Sequence, residues 1–352
     1  MLFRQVFRVV LTASLTAFVG GLGPLSGQEG SAGAGGVFLR SSAPLLARSA
    51  AGSYDGAGEG VEVGGFSELA LGLDVEGAWR GRLWFSLSWL PGVVPLSGYT
   101  EDARQVSDPL GDLELRVGTP LVGPESPLRP RERVIVAPGV QLAVPVWRVD
   151  YQAQSARQEA GELYVSGNRG LHAWGLGAEL RVAGASRALS VGEGAAVQFG
   201  GAGSLGWLRY LPMPYDRVSL EAYRRNELRR TLTGVEPFGR VDYGNRLSGR
   251  AGLRAELRNG IVSAGVEIGT VGWWRQPPRV DGGEGVADTD VSLVEGTLGL
   301  DLGVHPGEDF GIILEARGAI SLAEKNTPAV SQLQLGVSTV LGGRRFADKL
   351  LD

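Results

Sequence analysis

Residues 246–274, RLSGRAGLRAELRNGIVSAGVEIGTVGWW, alternate polar and apolar positions with a period of two. Arg246, Ser248, Arg250, Gly252, Arg254, Glu256 and Arg258 share one parity, while Leu247, Gly249, Ala251, Leu253, Ala255 and Leu257 share the other. Side chains on an extended chain point alternately to its two faces, so the pattern predicts a strand with one wet and one apolar face. Residues 61–79 repeat it, with Val63, Leu69, Leu71, Leu73 and Val75 against Glu62, Glu68, Asp74 and Glu76. Residues 80–90, 111–118 and 294–304 do the same. Residues 133–146, 171–182, 195–210, 310–322 and 331–341 are strand-like with more small residues on the polar side or a less regular split. No segment after the first thirty residues carries a 3.6-residue apolar stripe, and the chain is read as all-β.

The connections alternate in length. Asn259-Gly260 reads as a two-residue hairpin turn, since both residues tolerate positive φ. Residues 75–81 and 305–307 also read as tight, whereas 91–110, 147–169 and 275–290 read as long polar loops. Short turns at one end and long loops at the other describe an up-and-down barrel of the outer-membrane kind. With both ends of the chain on one side the strand number is even. A first tally of twelve puts the tight turns on both sides; adding strands at 37–50 and 230–243 restores the order. The expected fold is a closed antiparallel up-and-down transmembrane β-barrel of about fourteen strands, with twelve as the runner-up.

A soluble sandwich also alternates, and what separates the two is the solvent of each face. Many runs hold their alternation for about the 9–11 residues that a tilted strand needs to cross a bilayer. Arg250, Arg254, Glu256, Arg258, Glu267, Glu295, Asp301, Glu315 and Arg317 crowd the polar parity. Unpaired ions are costly in a dry core, so these nine are expected to line a water-filled lumen. Trp79, Trp89, Trp207, Tyr210, Trp273, Trp274 and Phe310 cluster near run ends, as interfacial aromatic girdles do. Pro138-Gly139 interrupts a strand. Proline removes a ladder donor, so these two residues mark either a break that lets apolar solutes leave sideways or, the favoured reading, an ordinary strand start or bulge.

The first residues carry Arg4 and Arg8, then an apolar run from Val9 to about Val19, then small residues. That is the layout of a cleaved secretory signal, 1–27, and its removal takes the net charge from −4 to −6. Residues 28–60 are expected to form a plug or a first strand, 61–346 the barrel and 347–352 a tail. Among 352 residues there is no cysteine and there are two histidines, His172 and His305. Disulfide scaffolds and thiolate metal sites are thereby excluded, and basic residues are not clustered, which disfavours nucleic acid. Gly201, Gly203 and Gly206 match a dinucleotide fingerprint in spacing only, since no helix follows. Asp288-x-Asp290-x-Ser292 begins like a calcium loop, but Leu293 and Gly299 stand where glycine and the closing acid belong. With Asp281 and Glu284 it reads as a solvated acidic loop. Neither histidine has a triad partner nearby in sequence, so no enzyme, cofactor or metal is expected.

GDLELRVGTPL (111–121) after a long loop, APGVQLAVPV (137–146) and a final LQLGVSTVLGGRRF (333–346) give the chain a resemblance to bacterial outer-membrane barrels. Within these it is similar to the transporters of aromatic-degradation (meta-) pathways, and more distantly to the long-chain fatty-acid carriers. The likeness covers most of 60–346 and implies a passive channel for small solutes, hydrophobic ones included, delivered to the outer membrane by the barrel assembly machinery as a monomer. Such barrels often end on an aromatic residue; here Phe346 is followed by ADKLLD. The alternative is a non-conducting structural or adhesive barrel.

Overall fold

The computed structural model describes residues 37–55, 60–79, 83–97, 112–122, 134–145, 173–192, 194–214, 240–277, 279–280, 290–306, 310–325 and 329–341. The expected signal 1–27, the tail 347–352, His172, Asp281, Glu284 and Asp288 lie outside them. Every regular element described is a strand: β1 (Val37–Ser42), β2 (Leu45–Asp55), β3 (Gly60–Trp79), β4 (Leu83–Ser97), β5 (Leu113–Gly118), β6 (Val134–Val144), β7 (Gly175–Ala185), β8 (Leu189–Gly192), β9 (Ala195–Tyr210), β10 (Met213–Pro214), β11 (Arg240–Asp242), β12 (Asn245–Asn259), β13 (Val262–Arg275), β14 (Arg279–Val280), β15 (Val291–Val304), β16 (Phe310–Lys325) and β17 (Ala329–Leu341).

All pairings are antiparallel, and the main sheet closes: β1 and β2 each pair with β17 on one side and β3 on the other. The sheet counts fourteen strands but closes on twelve staves. Ser42 opposes Ser338 and Leu45 opposes Leu335, one continuous register, so β1 and β2 form a single stave broken at Ala43-Pro44. Pro44 has no N–H to give, and its carbonyl accepts from Gly72 N at 2.7 Å instead. Likewise β8 continues the β7 edge against β9 beyond residues 186–188. The strand expected at 37–50 is thus part of the first stave. Of the one expected at 230–243, residues 240–242 belong not to the barrel but to a small sheet of β10, β11 and β14.

The end that carries Val37, Leu341, the 80–82 connection and the 260–261 turn, the short-turn end, holds mostly short connections, with 119–133 as its long exception, and residues 98–112, 146–172 and 215–239 bridge staves at the other, beside the short connections 56–59 and 326–328. The tightest turn is shifted by one residue from the expectation. Asn259 stays in the ladder opposite Val262, and Gly260, with φ of 58°, takes the first central position with Ile261 second. A primed turn needs positive φ there, where glycine is unstrained. β4 also runs past the expected end at residue 90 to Ser97. Its Pro91 and Pro95 are accommodated because β5 pairs only with Trp84–Ser88, leaving the following edge free of β5, and because the β3 register shifts there.

Candidate pore

Parity now becomes geometry. Leu253, Ile268, Leu298, Leu314 and Leu333, on five consecutive staves, all point outward and stay about half exposed or more. The opposite parity points inward, because its side chains meet across staves that are not neighbours. Arg246 on β12 reaches Glu114 on β5 at 2.7 Å, with three staves between them. Such a ring, apolar outside and charged inside, is the inverse of a soluble domain. An exposed apolar surface of this extent calls for a hydrocarbon solvent. A concavity of about 1360 Å³ lies along the wall at the level of Leu253 and Ile268, and residues of both parities touch it, Gly252, Thr297 and Gln332 among the inward ones.

All nine residues expected to line the lumen fall on inward positions, and the structure joins most of them. Arg254 bonds both Glu256 and Asp301 at 3.0 Å, and Arg258 bonds Glu256 at 2.6 Å. The Asp301 carboxylate lies over Gly265, where a Cβ would collide with it. Arg317 and Glu267 approach to 3.8 Å across Gly299. Glu315 pairs with Arg40 and accepts from Ser338 Oγ at 2.6 Å. Arg250 is exposed to the lumen, and Glu295 shares its row two staves away. Small inward residues thus let long charged chains lie sideways along the wall and find their partners.

Other lining residues were not singled out from the sequence. Arg181 bonds Glu179 at 3.1 Å and Ser86 at 3.1 Å and lies 3.9 Å from Glu76; Arg116 bonds Glu114 at 2.6 Å. Their parity was visible in the alternating runs. Arg40 was hidden in a segment of weak periodicity, and Arg275 in what read as a loop.

Towards the short-turn end the inner wall turns apolar. Trp84 on β4, Ile135 and Ala137 on β6 and Val340 on β17 pack together, with Ala183 and Ile313 against them. β17 and β6 are separated by four staves, so this tier reaches across the lumen and narrows it. The Trp84 indole lies over Gly118 and Gly139, directly opposed residues of β5 and β6 whose missing Cβ atoms leave its seat. Arg181 stacks on the indole, 3.9 Å from the ring centroid.

The β6–β7 register runs through Pro138 and Gly139 without a shift. Thr119 N still donates to Pro138 O at 3.1 Å, so a single rung, the one from the absent proline N–H, is missing on the β5 side. Other expectations meet the structure individually. Gly201, Gly203 and Gly206 lie in extended β9, with no phosphate-cradling loop. His305 fills the space over Gly303 and Gly311 and bonds Ser263 Oγ at 3.2 Å. Asp290 accepts from Lys325 Nζ at 2.6 Å and from Trp274 Nε1 at 3.2 Å, which anchors an outward indole at the long-loop rim. Trp207 also points outward, joined by Trp174, but Tyr210 is buried inside and Trp273 has inward parity, so neither belongs to the outer girdle. Among the described residues no three His, Asp or Glu side chains converge in a metal-binding arrangement.

No family model matches the chain. No curated protein matches it either. Among solved structures it is similar to the COG4313 outer membrane channel from Pseudomonas putida F1, with 15% identity over 91% of this chain and 100% of that one and a TM-score of 0.48. It is also similar to the NanC porin, at 11% identity over 86% and 98% with a TM-score of 0.36. A third is the Ralstonia pickettii toluene transporter TbuX, at 10% identity over 88% and 90% with a TM-score of 0.32.

Proposed function

We propose that the chain is a passive channel of the bacterial outer membrane for small solutes, hydrophobic ones included. It has no enzymatic step and works as a monomer placed by the assembly machinery. The observation that carries the reading is the closed ring with a charged inner face and an apolar outer one. Charges such as Arg250 and Arg317 are kept in the lumen because water is there, and water in a spanning lumen is a route. Selection then rests on width and on the charges along the wall. The apolar tier around Trp84 favours solutes that shed water easily, since a hydrophobic constriction excludes hydrated ions more strongly than apolar molecules.

A second reading is supported by the same tier and by the Arg246–Glu114 bridge, both of which narrow the lumen: a non-conducting barrel whose long loops bind at the cell surface. Planar-bilayer conductance and liposome swelling with a graded panel of solutes separate the two. Discrete current steps or solute-dependent swelling support the channel. A correctly folded barrel that stays silent to every solute refutes it and leaves the structural role.

A further inference from the structure

We propose that the long-loop mouth of the lumen holds a binding site for the carboxylate of a small organic acid, built on Arg275 with Arg246, Tyr243 and Tyr210. The inference rests on the channel reading above and narrows its solute class.

Arg275 is the last residue of β13 and Arg246 stands directly opposite it on β12, on the same inward face. Like charges in register repel. Glu114 answers Arg246 at 2.7 Å and is shared with Arg116 at 2.6 Å, and Asp112 adds a second negative charge on the Arg246 side. Arg275 is only 6% exposed and, among the described residues, has no acidic partner. Its guanidinium faces the Tyr243 ring, 5.4 Å from the centroid, while that of Arg246 lies 5.9 Å from the Tyr210 ring. The two rings meet edge to face at 6.5 Å. Both Arg246 Nε and Arg275 Nε are buried without a hydrogen-bond partner.

Among the described residues Arg275 is therefore left without a counter-charge of its own, and two buried donors lack acceptors. A carboxylate supplies both: two coplanar oxygens match a guanidinium fork, and its charge relieves the repulsion between the two arginines. Water satisfies the donors but not the charge. A neutral hydrocarbon does neither. The tyrosine rings offer the acid's apolar body a flat surface beside the charged end.

The test is calorimetric titration of the refolded full chain in detergent micelles with benzoate, and with benzyl alcohol as its neutral counterpart. Folding of each variant is checked by heat-dependent gel migration. Benzoate is expected to bind and to raise the unfolding midpoint, as a ligand of the native state must, while benzyl alcohol does neither. Arg275→Gln should weaken benzoate binding by about tenfold or more, the size of a lost charge-assisted contact, and Arg275→Lys, which keeps charge without the fork, should fall between. Benzoate heats equal in wild type and Arg275→Gln, binding of benzyl alcohol as tight as that of benzoate, or no benzoate binding at all would overturn the site. Should Arg275→Gln not fold, the benzoate-dependent midpoint of the wild type decides alone. The titration does not depend on conduction. A barrel that binds benzoate yet never conducts refutes the channel and keeps the site, and one that conducts without binding benzoate does the reverse.

Discussion

Leu253→Arg and Leu257→Arg place the same charge on the same outward face of β12 at two depths. Leu253 stands six residues before Asn259, the last residue of the stave, and Leu257 two before it. With about 3.3 Å per residue and a tilt of about 40°, each residue climbs about 2.5 Å along the membrane normal. Leu253 then sits about 15 Å from the short-turn end of its stave, near the middle of an apolar band about 25 Å tall, and Leu257 about 5 Å from that end. An arginine at the midplane should cost about 2–4 kcal/mol, and one near the interface about 0–1 kcal/mol. On the surface of a water-soluble protein both would lie within about 0.5 kcal/mol of zero. The assay is reversible guanidinium unfolding in phospholipid vesicles, followed by tryptophan fluorescence, with wild type alongside. A deep penalty with a shallow neighbour is expected. Two small and equal changes would refute the assignment of that face to lipid, and with it the water-filled lumen.

Removing Glu315 as Glu315→Ala should cost about 1.5–3 kcal/mol, because Arg40 loses its hydrogen-bonded carboxylate beside the apolar tier and keeps only the weaker pull of Glu76 and Asp301, and Arg40→Leu combined with Glu315→Leu should recover much of it; unfolding midpoints check both. Gly118→Ala should destabilise the barrel by about 1–3 kcal/mol, since its Cβ would meet the Pro138 carbonyl and the Trp84 indole, whereas Trp84→Ala should raise single-channel conductance by clearing the tier. Pro138→Val should leave uptake of apolar solutes unchanged, because the ladder already runs through that position; a fall in uptake would restore the sideways exit. Asp290 precedes β15 and is held below the usual carboxylate range, first by its hydrogen bond from Lys325 and then by that from Trp274. A depressed native value means that its contribution is present above the unfolded value of about 3.9 and is lost as pH falls through the lower native value. The difference in unfolding midpoint between wild type and Asp290→Asn should therefore be constant from pH 8 to about 5 and shrink steadily as the pH falls below about 3.9.

Much of this molecule can be read from parity alone. Because a strand sends successive side chains to opposite faces, Leu253 and Arg254 announce their different faces without any knowledge of their neighbours, and the shared inward parity of the nine charged residues follows from the same rule. Parity does not say which staves meet. Pro44 splits one stave and residues 186–188 another without changing the ring, so the sheet counts fourteen strands on twelve staves. Residues 240–242 look like barrel strand but pair with β10 and β14, since pairing depends on which edges are free once the wall has closed. The bridge from Arg246 to Glu114, the apolar tier joining Trp84 to Val340 and the two opposed arginines at the mouth are products of curvature and register. They join residues far apart in sequence, and only closure of the ring brings them within reach of each other.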